Sequence, residues 1–395
     1  MKKILLLLAL ALVPLEIICF LFLKFYFYPQ HNQFFQFDYE KEFSEITPEY
    51  ISQFSGKDSP LHADVLFDPV LGWDNKPNFS GINKIGCHGK NWEFSFDEMG
   101  SRNTPSDLPL RDPVIALYGG SYTMGAEVED DQTWQYVLEQ LSGVKILNFG
   151  VGGYGTDQAL FKLEDNLQRG VTTPVVVLGV YSGAIQRLVT TYRPFFVRNA
   201  GLKLGFKPTL LEVDGGYERL PGALKDLDSE SLNRAFNTAA EHDYFYSINK
   251  LKPRMRFPYS LTTLKVVKYI LFDFESNRKL WQPEHLAAGR MDEIVSRFVK
   301  LSRSEEFLPV LVFMPQEGEL AGYDNNEPAQ YAEYFENLRK QYTEDELVMI
   351  DVLAEEINSK EFSLPGCHPS EYGNKKIAAS IYSRLENRLM ELSEE

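Results

Sequence analysis

Apolar residues recur with two different periods through the second half of the chain. Short apolar runs of strand length cover residues 114–118, 144–148, 174–180, 309–314 and 347–350. The segments between them repeat apolar residues every three or four positions, as Leu160, Leu163 and Leu167 do. Buried strands that alternate with amphipathic helices are typical of a parallel sheet covered on both faces. The pattern therefore predicts an α/β fold with about five parallel strands between residues 112 and 395.

A different pattern precedes this region. Within residues 61–111, Trp92, Phe94 and Phe96 alternate with more polar residues. A period of two predicts strands, and we expect residues 61–111 to form a β-rich skirt packed on the main domain.

The α/β pattern is interrupted between its third and fourth strands by an insertion at about residues 190–304. Residues 206–220 are typical of a hairpin around Asp214-Gly215-Gly216, because such residues tolerate the positive φ of a tight turn. Helical segments follow, one with Met291, Ile294, Val295 and Phe298 on one face. We expect the insertion to form a cap that shapes a substrate cleft.

The amino terminus is a separate hydrophobic segment. Lys2 and Lys3 precede an apolar run of twenty residues, 4–23, which suffices for a helix to cross the roughly 30 Å hydrocarbon layer. A cleaved signal peptide is the alternative, but the run is long and lacks small residues before a cleavage site. We therefore expect residues 1–28 to be a single-pass anchor in the cell membrane and residues 29–60 to be a stalk. The positive amino terminus predicts that the main domain is extracytoplasmic, in the periplasm if the source is Gram-negative.

Glu16 lies inside the apolar run. An ionised carboxylate at mid-bilayer costs about 2.5 to 3.5 kcal/mol on insertion scales. Either the carboxyl group is protonated and tolerated, or it faces a helical partner.

Charge and cysteine content narrow the possible partners. The chain of 395 residues has 56 acidic and 40 basic side chains, a net charge of −16, which argues against nucleic acid as a partner. Cys-His pairs occur at Cys87 and Cys367, but without C-x-x-C spacing or an H-E-x-x-H helix, so we expect no metal and no cofactor. In an oxidising compartment these two cysteines either form a disulfide or remain unpaired.

Three small-residue turns follow the first three predicted strands. They are the turn at Ser121, the glycine-rich loop 150–155 and the segment Tyr181-Ser182-Gly183. Ligands of open α/β sheets bind beyond the carboxyl ends of the strands, where these turns meet. A serine at such a position presents its hydroxyl above the sheet, close to backbone N–H groups that can stabilise developing negative charge. Ser121 is therefore a candidate nucleophile, although it could also only cap a tight turn.

A serine nucleophile requires a base, and His368 is the best placed of the six histidines. It lies in a loop between the last predicted strand and the last helix, and that loop ends at the same edge of the sheet as Ser121.

The order of three segments resembles the signature blocks of the SGNH/GDSL hydrolase superfamily. They are Gly119-Gly120-Ser121-Tyr122 with Gly125, Asn148-Phe149-Gly150-Val151-Gly152-Gly153, and His368-Pro369 before Gly373-Asn374. The resemblance implies a flavodoxin-like three-layer α/β/α sandwich, with Ser121 as nucleophile, His368 as base, and backbone N–H groups of Ser121 and Gly153 in the oxyanion hole. The segment Asp68–Trp73 and the hairpin insertion are also similar to membrane-tethered members suspected of acting on surface polysaccharides.

Two positions depart from the family pattern. The segment 179–183 lacks the oxyanion-hole asparagine, and Pro365 stands where an aspartate would orient His368. Loss of the orienting aspartate in another serine-enzyme fold lowers turnover by about 10⁴. A backbone carbonyl, Glu361 or Glu371 could orient the histidine instead, and Tyr181 or Ser182 could donate to the oxyanion.

The sequence thus predicts an extracytoplasmic serine enzyme that hydrolyses or transfers acyl esters, most simply O-acetyl groups, on a cell-envelope or exported carbohydrate. The expected partners are an acylated carbohydrate and the membrane. The alternative is a catalytically degenerate domain that binds a glycan or a partner protein.

Overall fold

A computed structural model describes residues 2–44, 64–83, 91–105, 108, 112–197, 205–222, 224, 228–274, 276–363 and 367–394. The strands are, in chain order, β1 Val65–Asp68, β2 Gly72–Asn75, β3 Ser80–Asn83, β4 Trp92–Ser95, β5 Ile115–Gly119, β6 Ile146–Asn148, β7 Val175–Tyr181, β8 Thr209–Val213, β9 Gly216–Leu220, β10 Leu308–Met314 and β11 Val348–Asp351. Five of them form one sheet in the order β11-β10-β7-β5-β6, and all four neighbouring pairs are parallel.

The α-helices are Lys2–Leu21, Tyr28–His31, Ser121–Met124, Trp134–Ser142, Thr156–Gln168, Arg193–Phe196, Ser229–His242, Tyr244–Leu251, Tyr259–Lys268, Asn277–Leu280, Leu286–Glu305, Glu317–Tyr323, Ala332–Gln341, Ser359–Phe362 and Glu371–Glu394. Helices Thr156–Gln168, Leu286–Glu305 and Ala332–Gln341 cover one face of the sheet, and Trp134–Ser142 and Glu371–Glu394 cover the other. The predicted three-layer α/β/α sandwich with five parallel strands is confirmed.

The central strand β7 explains why the strand runs are continuously apolar. Val175 and Val177 pack into the core on one side of the sheet, whereas Val176 and Leu178 pack into the core on the other. All four side chains are almost fully buried. Because a strand exposes alternate residues to opposite faces, a sheet covered on both faces needs apolar residues at every position.

Three antiparallel strand pairs lie outside the central sheet in the described part of the chain. Strands β1 and β2 pair, β3 and β4 pair, and β8 and β9 pair. Asp214 and Gly215 both have positive φ, 49° and 81°, at the turn between β8 and β9, so the predicted hairpin is confirmed. Strand β4 likewise confirms the strand prediction at Trp92 and Phe94.

The helix Leu286–Glu305 differs from the expected cap. Met291, Ile294 and Phe298 are fully buried in the same core cluster as Val176 and Leu311 of the sheet. The apolar face of this helix is therefore occupied by the sheet, and the helix forms part of a covering layer of the sandwich.

The amino-terminal helix continues past Leu21 through a π-helical segment, Phe22–Phe27. Among the described residues, Ala11–Phe34 is one helix long and apolar enough to cross a membrane by length and composition. It packs against the helix Tyr259–Lys268, whose first residues donate hydrogen bonds to Glu16. Of the two readings of Glu16, the structure favours a helical partner. Of the predicted stalk, residues 45–60 lie outside the described residues. In the described half, 29–44, Tyr39 and Phe43 are buried in a cluster with Phe195 and Phe236.

Candidate active site

Ser121 begins a one-turn helix directly after β5. Gly120, its N-cap, has extended backbone, and the helix ends at Gly125, which has a left-handed φ of 74°. A left-handed residue reverses the chain at low cost only when it lacks a Cβ atom. The turn leaves Ser121 near the surface of the sheet edge, with 8% of its area exposed.

His368 is held by backbone contacts on both sides of its loop. Ser363 and Pro369 form an isolated antiparallel bridge, and the Ser363 hydroxyl donates to the Cys367 carbonyl at 2.8 Å. The Asn374 side-chain amide donates to the Pro369 carbonyl at 3.0 Å. These contacts fix the loop just before the last helix, Glu371–Glu394.

The two side chains singled out in the sequence are in contact. The Ser121 Oγ and His368 Nε2 atoms lie 2.8 Å apart, a normal hydrogen-bond distance, although the residues are 247 positions apart in the chain. The groups next to the His368 ring decide which of its nitrogens carries the proton. With a carboxylate next to Nδ1, the proton belongs on Nδ1, which leaves Nε2 free to accept the serine proton.

The carboxylate next to His368 belongs to Glu127. Its Oε1 atom lies 3.2 Å from Nδ1, and its Oε2 atom accepts a 3.1 Å hydrogen bond from the His368 backbone N–H. The Nδ1 contact is within ion-pair distance but is not aligned as a hydrogen bond. Such bonds are often poorly aligned in free enzymes and tighten when substrate binds.

Glu127 was missed in the sequence, and the two glutamates suggested there are engaged elsewhere. Glu361 accepts from the Asn358 side chain at 2.7 Å, and Glu371 pairs with Lys375 at 2.6 Å; both are exposed. Glu127 lies two residues beyond Gly125 and has a left-handed φ of 69°. Gly125, which ends the one-turn helix, is the feature of the sequence that could have pointed to Glu127, because the chain turns back toward His368 there.

The glycine-rich loop after β6 forms the next wall of the site. The Val151 N–H donates to the Gly119 carbonyl at 3.1 Å, which links the loop to the end of β5. A Cβ atom on Gly150 would lie 2.3 Å from the Met124 backbone nitrogen, so the loop and the Ser121 helix touch along their backbones. Gly153 has a positive φ of 83°.

Two residues of β2 support this loop from outside. The Trp73 indole N–H donates to the Gly152 carbonyl at 2.9 Å, and the Asn75 amide donates to the Gly150 carbonyl at 2.9 Å. The skirt therefore positions the backbone that carries Gly153.

Ser182 and Tyr181 differ in their availability to a substrate. Ser182 is fully buried, and its hydroxyl hydrogen-bonds to Glu319, so it is already engaged. The Tyr181 ring stacks on Tyr122, with centroids 4.1 Å apart, and keeps partial exposure.

Buried aromatic and basic groups complete the surroundings of Ser121. The Tyr122 ring lies 5.3 Å from that of His368, and burial raises the pKa of Tyr122 so that its phenol stays neutral. Arg187 donates to the Tyr154 carbonyl at 2.7 Å. Burial lowers the pKa of Arg187, and nearby Tyr181 opposes that shift. A Cβ atom on Gly120 would approach this guanidinium within 3.3 Å, so a positive charge lies close to the serine turn.

Cys367, next to the histidine, is disulfide-bonded, whereas Cys19 is free. The expected partner of Cys367 is Cys87, which lies outside the described residues.

The site thus places a serine, a histidine and a carboxylate in line at the carboxyl edge of the parallel sheet. No family model and no curated protein matches the sequence.

Solved structures offer matches at low identity. A putative lipolytic protein of the G-D-S-L family from Desulfitobacterium hafniense has 10% identity and a TM-score of 0.33, and the match covers 69% of this chain and 99% of that protein. Another member of that family, from Veillonella parvula, has 10% identity and a TM-score of 0.34, covering 68% and 96%. The salicylyl-acyltransferase SsfX3 of a tetracycline biosynthetic pathway has 11% identity and a TM-score of 0.30, covering 71% and 56%.

Proposed function

We propose that this protein is an extracytoplasmic serine enzyme that hydrolyses or transfers acyl esters, most simply O-acetyl groups, on a cell-envelope or exported carbohydrate. The observation that carries the proposal is the line of three groups: Ser121 Oγ 2.8 Å from His368 Nε2, and Glu127 3.2 Å from the other ring nitrogen. A hydroxyl becomes a nucleophile when an adjacent base accepts its proton and a third group orients that base.

The first half of the reaction forms an acyl-serine. His368 Nε2 takes the Ser121 proton as Oγ bonds to the ester carbonyl carbon, and Glu127 stabilises the imidazolium that results. When the tetrahedral intermediate collapses, the bond to the leaving alcohol breaks and that alcohol receives the proton from Nε2. In the second half, water or an acceptor hydroxyl gives a proton to Nε2 as its oxygen bonds to the acyl carbon. The bond from that carbon to Ser121 Oγ then breaks, and Oγ takes the proton from Nε2.

Negative charge on the carbonyl oxygen needs donors that are already in place. We assign this role to the backbone N–H groups of Ser121 and Gly153. Arg187 adds positive charge near the Ser121 turn. Tyr181 is partly exposed beside Tyr122 and is the remaining side-chain candidate.

The location outside the cytoplasm is supported by two separate observations. The segment Ala11–Phe34 has the length and composition of a membrane span. Cys367 is disulfide-bonded, and disulfides persist in oxidising compartments. The carbohydrate acceptor is supported by the likeness of Asp68–Trp73 and the β8-β9 hairpin to membrane-tethered SGNH proteins.

Labelling with a fluorophosphonate and release of acetate from an activated ester test the proposal. We expect the parent protein to be labelled at Ser121 and to release acetate, and both signals to disappear in Ser121→Ala. Thr123→Ser, in the same helical turn, is the matched control and should retain labelling. A parent protein that folds but is neither labelled nor active would favour the alternative, a degenerate binding domain.

The substrate class is tested with the active protein. Acetylated polysaccharides should lose acetate, or unacetylated ones should gain it from an activated donor, and both reactions should require Ser121. If simple esters are cleaved but no carbohydrate reacts in either direction, the enzyme proposal stands and the carbohydrate assignment is wrong.

A further inference from the structure

A second apolar segment lies beside the candidate membrane span. We name the helix Tyr259–Lys268 and its π-helical continuation, Tyr269–Asp273, the flanking helix. Its residues Thr262, Val266 and Tyr269, spaced by four and three, are almost fully buried. Residues on the opposite side are exposed by 46% to 71%, namely Leu261, Leu264, Val267, Leu271 and Phe272. The flanking helix thus has one face packed on protein and one apolar face open.

The packed face contacts the amino-terminal helix. Val266 shares a core cluster with Leu23 and Phe35, and the Tyr259 ring lies 4.9 Å from that of Phe20. The Tyr259 backbone therefore lies beside Glu16, with its ring reaching Phe20, and Val266 lies beside Leu23. The two helices run side by side in the same direction.

Glu16 joins the two helices by polar contacts. Its carboxylate accepts hydrogen bonds from the backbone N–H groups of Tyr259 and Ser260 and from the Ser260 hydroxyl. The first N–H groups of a helix have no partner within the helix, so an acidic group there satisfies them and interacts favourably with the helix dipole. In hydrocarbon each such unsatisfied group would cost several kcal/mol. The Glu16 carboxylate thus gives the first N–H groups of the flanking helix the hydrogen-bond acceptor they lack in lipid, and these N–H groups stabilise the carboxylate inside the span.

The geometry sets the depth of the flanking helix. Glu16 is seven residues before Leu23, the end of the apolar run, which at 1.5 Å per residue is about 10 Å. If the apolar run fills the hydrocarbon layer, the flanking helix begins about 10 Å below its outer boundary and rises to that boundary near Val266. Leu261 and Leu264, which come before Val266, would then face acyl chains.

Charge near the flanking helix fits anionic headgroups. The segment 250–274 contains six basic residues, Lys250, Lys252, Arg254, Arg256, Lys265 and Lys268, and one acidic residue, Asp273, in a chain of net charge −16. All seven line one cavity of about 680 Å³. Basic residues beside an apolar helix face are typical of helices that lie in a membrane interface, where lysine and arginine side chains extend to the headgroups.

We propose that the flanking helix is inserted in the outer half of an anionic phospholipid bilayer, with its apolar face on acyl chains and its basic residues on headgroups. This rests on the proposed placement of the amino-terminal helix in the membrane. With this insertion, two helices attach the protein to the membrane, and the sandwich is held against the bilayer surface. A single span joined by a loose stalk would leave the sandwich free to move.

Quenching by brominated acyl chains tests the proposal on the full chain in vesicles of phosphatidylcholine and phosphatidylglycerol. Leu264→Trp reports on the flanking helix, Leu12→Trp on the span, and Leu141→Trp, an exposed leucine of the sandwich, is the matched control. Tryptophan emission is measured relative to the parent, which has four tryptophans of its own. We expect Leu264→Trp and Leu12→Trp to be quenched by roughly twofold and Leu141→Trp not to be quenched.

The outcomes distinguish the insertion of the flanking helix from the membrane placement of the amino-terminal helix. If Leu12→Trp is quenched but Leu264→Trp is not, the span is correct and the insertion of the flanking helix is refuted. If neither is quenched, both are refuted. A second copy of the chain is the other possible occupant of the apolar face. It would appear as a Leu264→Cys dimer cross-linked in the bilayer in a Cys19→Ser background, together with unquenched Leu264→Trp, and it would also overturn the proposal.

Discussion

The carboxylate of Glu127 touches His368 at its ring and at its backbone N–H. One contact orients the imidazole, and the other fixes the loop that carries it. The same residue can therefore serve the proposed chemistry and the local structure, and a test must separate the two roles.

Glu127→Gln separates them, because the amide keeps an oxygen for the backbone contact but loses the charge. We expect turnover to fall by about 10³ to 10⁴ with little loss of stability, since the imidazolium would lack its counter-charge. The measurement is the rate of ester hydrolysis beside a thermal melt. Glu361→Gln and Glu371→Gln are the controls and should keep the parental rate. Parental turnover in Glu127→Gln would remove this residue from the mechanism.

Glu319, near the site, has a buried carboxyl group that is hydrogen-bonded to Ser182. Burial raises the pKa of Glu319 to about 7, against an ordinary value of 4.5. A raised pKa means that folding favours the protonated form. The resulting contribution to stability is complete below pH 4.5 and is lost as the pH rises through 7.

Glu319→Gln should remove this pH dependence. Between pH 4.5 and pH 7 the parent should lose up to about 3 kcal/mol of unfolding free energy relative to the variant. Urea unfolding at pH 5 and pH 8 measures the difference, with Glu317→Gln, an exposed carboxylate of the same helix, as the control. A parent and a Glu319→Gln variant with parallel pH profiles would contradict the prediction.

Among the elements, the glycine-rich loop after β6 carries the tightest constraint. Gly150 lies so close to the Ser121 helix that a Cβ atom would be 2.3 Å from the Met124 nitrogen, whereas a Cβ atom on Gly152 would meet nothing within 4 Å. The two glycines are two residues apart and make a matched pair.

Gly150→Ala should push the loop and the Ser121 helix apart. We expect a loss of about 1 to 3 kcal/mol in stability and a clear fall in the rate of fluorophosphonate labelling, because Ser121 would move relative to His368. Gly152→Ala should keep both values near those of the parent. Equal effects of the two substitutions would show that loop flexibility, and not backbone contact, governs the site.

The sandwich could be predicted from the sequence, whereas parts of its surroundings could not. A continuous apolar run such as 174–180 predicts a strand that is buried on both faces. Asp214-Gly215 predicts a tight turn, because both residues tolerate a positive φ. The helix Leu286–Glu305 was misread as a cap, because an amphipathic pattern reveals a buried face but not what buries it. Glu127 was missed for a related reason: its role follows from a left-handed backbone turn that has no periodic pattern.

At the scale of the whole molecule, the disulfide of Cys367 constrains the loop that carries His368. Reduction should lower the stability by about 2 to 5 kcal/mol and should slow ester hydrolysis, because the constrained residue adjoins His368. Melts and rates with and without a reductant measure both effects. Cys19→Ser, which removes the free thiol, should behave like the parent. Unchanged kinetics after verified reduction would contradict the prediction.

The net charge of the whole molecule also affects how the protein is oriented at a membrane. A body of net charge −16 is repelled by an anionic surface, while the basic residues around the flanking helix are attracted to it. The two effects together favour one orientation of the sandwich above the bilayer.

Trp134 connects the two halves of the active site. Its indole N–H donates to the Tyr122 carbonyl at 3.0 Å, and its backbone N–H donates to the Asn374 side chain at 3.0 Å. Asn374 in turn holds the Pro369 carbonyl beside the base. The Trp134 amide hydrogen can exchange with deuterium only when its hydrogen bond to Asn374 opens, so its exchange rate measures how often this contact between the two halves of the site breaks.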